Sequence, residues 1–275
     1  MQISLKHIPI HPALKGHIGK LWVFESSGRI PDIDMKLVVP NGMMKLVIPF
    51  RNGFIGQRGN YLKFSAINQM TLVGVNDTPF IVDTQQDVAS GTIGVEFKPH
   101  GAYRFFNVKQ SELRNQIFHT PEVTGNAGKE IEERMADTEI LEQKIKILQD
   151  YLLRLFLKTE TDNIFEYCIN TITHTLGQVS IKELERKTGY SARWLNRKFD
   201  EKIGISPKNL CAISRFQFVF QTLVNNPDQL LLNKSYYNVY YDQSHFIKEF
   251  KRFTGLTPSR FEHGDNNFGK ISYLK

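Results

Sequence analysis

The 275-residue sequence predicts an α+β protein of two domains: a strand-rich N-terminal domain curled into a barrel-like sheet, and an all-α C-terminal domain. Three observations predict it. Up to about residue 110, short β-branched runs alternate with Gly, Asn and Pro punctuation, the pattern of a small sandwich or barrel. From about residue 158 the pattern is helical to the end. Within that helical part, Tyr190–Leu210 aligns without gaps on Tyr241–Phe261 at an offset of 51.

In the first domain, "KLVVPNGMMKLVIPF" places Asn41-Gly42 between two apolar runs and predicts a hairpin there. "YLKFSAINQMTLVGV", "PFIVDT" and "GTIGVEFKP" continue the short strands, and Thr124–Glu130 reads as a loop. In the helical stretch that follows, Leu141, Ile145, Leu148, Leu152 and Leu155 recur at spacings of four and three, making one apolar seam. The seam can pack on its own sheet or serve a dimer. The composition shift at "KTETDN" places a linker over 158–163. The expected layout is 1–157 for the β-rich domain with its closing helices, 164–262 for the helical domain and 263–275 for a tail.

The repeat has a physical reading. In each copy Ser191 or Asp242 caps a helix, Gly204 or Gly255 stops it, and Ser206-Pro207 or Thr257-Pro258 starts the next. "SIKELERKTGYS" supplies a preceding helix for the first copy, with Ser180 as cap, Glu183 as capping-box partner and Gly189 in the turn. Helix, Gly turn, helix is the helix-turn-helix arrangement. Leu195, Phe199 and Ile203 would be buried in one second helix, and Phe246, Phe250 and Phe253 in the other. Arg193, Asn196, Arg197 and Asp200, or Gln243, Ser244, Lys248 and Lys251, then face outward near the front. Such a front suits a major groove, where Arg reads guanine and Asn or Gln reads adenine, while Ser and Lys hold phosphates. Tyr190 and Tyr241 read as packing residues behind these helices. The apolar stretch from Ser206 to Val224 suits one long helix bridging the units.

Charge agrees with this division. Residues 1–160 carry 19 Lys/Arg and 17 Asp/Glu, whereas 161–275 carry 16 and 11, so the surplus of cations sits in the helical part. Two cysteines without metal spacing, and an N-terminus lacking an apolar leader, point to the cytoplasm. His7, His11, His17, His100 and His119 are scattered, which argues against a metal site. Trp22, Phe24 and Phe97 are candidates to line the barrel interior as a ligand pocket, or to be ordinary core.

The segments "DQSHFIKEFKRFTGLTPSRF" and "GYSARWLNRKFDEKIGISP" resemble the AraC/XylS family of bacterial transcription regulators over about residues 165–262. The resemblance implies two helix-turn-helix units joined by a long helix, each unit entering one of two successive major grooves. It implies Arg193, Asn196 and Arg197 as readers in the first unit, and Gln243, Ser244 and Lys248 as contacts in the second. "GTIGVEFKPHGAYRFFNVKQSEL" is similar to one recurring sensor domain of this family, which implies a cupin-like barrel. The implied function is a DNA-binding transcription regulator, an activator contacting RNA polymerase, homodimeric, with an N-terminal domain sensing a small-molecule effector or partner. The implied partners are double-stranded DNA and RNA polymerase, with no cofactor, no catalysis and no membrane. Tyr240 stands where the family has Gly, Glu185 and Tyr236 where it has a small residue, and Ser235 where it has an apolar one. Larger residues at a close helix approach predict repacking, at about 1–3 kcal/mol. Two other functions stay open: a DNA-targeted enzyme such as a repair alkyltransferase, and a constitutive architectural DNA binder. The first needs an activated nucleophile, and Cys168 and Cys211 lie in apolar helical contexts.

Overall fold

The computed structural model describes residues 3–28, 36–84, 88–156, 162–225 and 239–262. The N-terminal part is two facing sheets. One has six strands in the order β1 (Ile3–His7), β2 (Ile18–Ser26), β9 (Ser90–Phe97), β4 (Lys45–Arg51), β7 (Thr71–Val73), β10 (Ile117–His119). The other has four: β3 (Leu37–Val38), β8 (Phe80–Thr84), β5 (Phe54–Arg58), β6 (Tyr61–Ser65). The barrel is open, two separate sheets rather than a closed ring.

Strand alternation sorts the larger sheet into two faces. Leu46, Ile48, Ile93, Val95 and Phe97 point one way, into a core shared with Leu148 and Leu152. Trp22, Val47 and Val73 point the other way, toward the smaller sheet. Helices α1 (Pro121–Thr124), α2 (Asn126–Ala136) and α3 (Leu141–Leu155) close the first face. The seam of α3 is therefore covered by its own domain, with Leu148 and Leu152 nearly inaccessible. The expected loop over 124–130 is helical from Asn126 onward, entered through Gly125.

The hairpin expected at Asn41-Gly42 does not form, because β3 and β4 lie in different sheets. Asn41 Oδ1 accepts from the Met43 N–H (3.1 Å) in a local turn. After Pro40, which has no N–H to donate to a ladder, that turn carries the chain across the sandwich.

The C-terminal part is helical: α4 (Asn163–His174), α5 (Ile181–Thr188), α6 (Ala192–Lys202), α7 (Pro207–Asn225), α8 (Gln243–Thr254) and α9 (Pro258–Glu262). Of the expected linker, Lys158–Thr161 lie outside the described residues, as do Ser235, Tyr236 and the tail 263–275. Asp162 is instead the cap of α4, accepting from the Phe165 N–H at 3.1 Å, and Asn163 is helical.

The two parts share buried surface. Leu37, Val39 and Val75 of the sandwich belong to the same apolar cluster as Ile203, Leu210 and Ile213. Gln217 Nε2 donates to the Pro40 carbonyl at 2.6 Å.

Candidate nucleic-acid interface

The first unit is assembled by local capping. Ser180 Oγ accepts from the Glu183 N–H (3.1 Å) to start α5, while the Glu183 carboxylate pairs with Lys187 (2.8 Å). Gly189 ends α5 in the left-handed region (φ 76°), and Ser191 Oγ accepts from the Trp194 N–H (3.3 Å) to start α6. Glu185, standing where a small residue was expected, has a bracing role. Its carboxylate accepts from the Ala192 N–H at 2.5 Å and so ties α5 to the front of α6. Leu195 and Phe199 are fully buried, and Phe199 meets Phe165 edge-on with ring centroids 5.3 Å apart.

Arg193, Asn196 and Arg197 all lie exposed on one side of α6. Asn196 Nδ2 donates to the Ala192 carbonyl (2.8 Å), and Arg197 Nε sits 3.9 Å from Glu201. These holds are weak and solvent-facing, so both groups can exchange them for a ligand. Asp200, one turn further along, is engaged by the sandwich: Lys109 Nζ is 2.7 Å from its carboxylate and Ser111 Oγ donates to it at 3.2 Å. The hydrogen bond to Asp200 pushes the Lys109 ammonium above its usual range.

The second unit repeats the device. Asp242 Oδ1 accepts from the His245 N–H at 2.7 Å, and Gly255 (φ 77°) ends α8. Gln243, Ser244 and Lys248 are exposed on its front, while Phe246, Phe250 and Phe253 are buried. Replacing Asp242 by alanine removes the partner of an orphan helix donor. The expected cost is about 0.5–2 kcal/mol, to be read from chemical denaturation. No change would mean that the cap is idle.

Tyr240 is accommodated by burial, 3% exposed and edge-on to Phe246 at 5.4 Å. Burial, and then the Glu249 carboxylate, push its phenol well up. Glu249 in turn accepts from Arg215 (2.9 Å) and lies 3.3 Å from His245. His245 is thus a structural partner of α8 rather than part of a metal set. Among the described residues no three metal-ligating side chains come together.

Two tyrosines differ from expectation. Tyr241 is 95% exposed, and Tyr190 is 40% exposed and stacks on Trp194 at 4.1 Å. Neither packs behind its helix. Each directly precedes a cap residue, where the chain is still outside the helix and its side chain can project outward. Both add aromatic surface beside the polar front.

The remaining candidates lie in the sandwich. Trp22 and Phe24 line a cavity of about 120 Å³ between the two sheets, together with Phe54, Phe80, Val47 and Val82. Gly94 lies opposite Trp22 in the register, and a Cβ there would come within 2.0 Å of the indole, so the glycine makes room for the ring. Phe97 does not reach this cavity. It faces the helix side of β9, against Phe105 and Phe106 at 5.0 and 5.5 Å. Strand alternation could have separated Phe97 from Trp22 and Phe24, but only once the pairing of β2 with β9 was known.

One complete capped helix-turn-helix, α5 to α6, and the matching capped front of α8 beyond the long α7, mark a DNA-binding protein of the transcription-regulator class. Residues 184–263 match the helix-turn-helix domain family. Residues 6–119 match a domain of unknown function, DUF6597. No protein of curated function matches the chain. Among solved structures, unsaturated fatty acid bound ToxT from Vibrio cholerae is similar at 13% identity and TM-score 0.45, covering 90% of this chain and 95% of that one. The AraC-like transcriptional activator CuxR is similar at 12% identity and TM-score 0.30, covering 86% and 91%. A cupin domain of an XRE family transcriptional regulator from Enterobacter cloacae covers 35% of this chain and 97% of its own, at 11% identity and TM-score 0.29.

Proposed function

We propose that this protein is a sequence-specific transcription regulator of the cytoplasm, an activator that works as a homodimer and contacts RNA polymerase. Its N-terminal sandwich takes a small-molecule or partner signal. The observation that supports this reading best is the pair of capped helices, α6 and α8, whose exposed polar fronts are carried with one long helix, α7, in a single apolar cluster. That helix has 19 residues.

Base reading falls to Arg193, Asn196 and Arg197 in the first unit, and to Gln243 in the second. Ser244 and Lys248 suit phosphates. Dimerisation would use a surface other than the covered seam of α3.

The enzyme reading has less support. A repair alkyltransferase needs a thiolate, and burial pushes both Cys168 and Cys211 up to about 11. At neutral pH they are inert thiols.

The test is selection of bound duplexes from a random pool at near-physiological salt, with the purified full chain. The expected motif has two short blocks one helical turn apart. Its symmetry, together with the protein's mass in solution, reports the dimer. Enrichment of no sequence, with tight binding to all, would favour an architectural binder. In the same assay Arg197→Ala should cost about 1–3 kcal/mol at one position of the motif. A uniform loss on every sequence would make Arg197 a phosphate contact.

A further inference from the structure

The cavity between the sheets has a charge pattern that apolar lining alone does not explain. On adjacent strands β2, β9 and β4, Lys20 lies opposite Glu96, and Lys45 lies opposite the same Glu96. All three side chains line one end of the cavity. Lys45 Nζ and Glu96 Oε1 are 3.4 Å apart, with both side chains largely inaccessible. That pair is neutral in sum. Lys20 makes no ion pair among the described residues, so this end carries one uncompensated cation. The other lining acid, Asp83, is already held by Lys36 at 2.7 Å.

Beyond this end the walls are aromatic, with Trp22, Phe24, Phe54 and Phe80. Lys20 and Phe24 stand four residues apart on β2, about 13 Å at the usual strand rise. The far end turns polar again, where Asn52 Nδ2 donates to Ser90 Oγ at 3.0 Å. An apolar body is therefore welcome only in the middle. A volume of about 120 Å³ is close to that of a buried cavity that accepts one benzene ring.

We propose that this cavity binds a compact amphipathic carboxylate: one aromatic ring on a short arm, its carboxylate held on the cavity side by the Lys20 and Lys45 ammonium groups that flank Glu96, and its ring among Trp22, Phe24, Phe54 and Phe80. An ammonium has three donors, so Lys45 can hold Glu96 and the ligand together. Glu96 limits the ligand to a single negative charge, since a dianion would face it across the same site. A long alkyl chain is disfavoured, because its end would have to bury the polar groups around Asn52 without replacing their bonds. This deepens the sensor part of the proposed function and rests on it for its regulatory meaning, but not for the binding itself.

The experiment is titration calorimetry on the full chain without DNA, using phenylacetate, neutral phenylacetamide and decanoate. Phenylacetate should bind at least about tenfold more tightly than either of the others. Lys20→Gln, on a half-buried position, should bring phenylacetate down to the level of the amide. Equal binding of acid and amide, tighter binding of decanoate, an unaffected Lys20→Gln variant, or no heat with any of the three would each overturn the proposal. DNA binding by the same preparation is measured separately. A silent titration with intact DNA binding removes only the ligand assignment, whereas the reverse removes only the regulator.

Discussion

Phe250→Ala is expected to abolish DNA binding by dissolving the second unit. The ring is fully buried, with centroids of Phe216, Phe246 and Phe261 at 5.7, 5.6 and 5.6 Å. These partners come from α7, from α8 itself and from α9, so one ring holds three helices together. Removing it takes away the transfer energy of a buried aromatic and leaves a hole that rigid neighbours cannot fill. The expected loss is about 3–5 kcal/mol, a large part of the stability of an ordinary domain. Denaturant melts followed by circular dichroism should show a lower midpoint for the helical part. A loss under about 1 kcal/mol would mean that α8 is held by something other than this cluster.

Gly177→Ala should be comparably damaging, for a different reason. Gly177 follows α4 in the left-handed region (φ 71°), and a Cβ there would lie 2.0 Å from the Cys211 carbonyl oxygen in α7. A side chain meets two penalties at once. Left-handed backbone costs an L-residue about 1–2 kcal/mol, and the contact forces α7 away from α4. That movement also pulls on Arg215, whose Nη1 donates to the Gly177 carbonyl at 2.6 Å and whose Nη2 reaches Glu249. Gly255→Ala is the control, with a similar φ of 77° and open space where its Cβ would go. If both substitutions cost the same in urea melts, close approach of the helices plays no part. The expectation is that Gly177→Ala costs more by at least about 2 kcal/mol.

The helical part was readable because its determinants are local. A Ser or Asp cap, a Gly stop and a Pro start act within a few residues of chain, and each stands where Ser180, Ser191, Gly189 and Gly255 implied. Burial of Leu195, Phe199, Phe246 and Phe250 followed from helical spacing alone. Long-range determinants were not readable. Whether the runs flanking Asn41-Gly42 pair with each other depends on which sheet recruits them, and β3 pairs with β8 rather than with β4. The Lys20, Glu96 and Lys45 cluster exists only through strand register, so three unremarkable positions in sequence become neighbours. Tyr240 shows a third limit: a bulky residue at an expected glycine position is accommodated with Glu249, Arg215 and Phe246 packed around it. The sites proposed for bases lie on the local side of this divide, and the ligand cavity on the other.

Helices α6 and α8 are both fastened near their rear ends to the sandwich. Asp200 of α6 meets Lys109 and Ser111, and Arg252 of α8 lies 3.8 Å from Asp77, which also accepts from Asn209 at 2.9 Å. This bears on anyone wishing to build chimeras from the protein. A foreign sensor grafted in front of α4 would deprive Asp200, Arg252 and Asn209 of their counterparts, leaving Asp200 without Lys109 beside the front proposed for phosphates. The exchangeable unit is therefore not the helical half cut at its linker. It is that half together with the short loops bearing Asp77, Lys109 and Ser111, which travel with the DNA-binding end even though they belong, in chain order, to the other one.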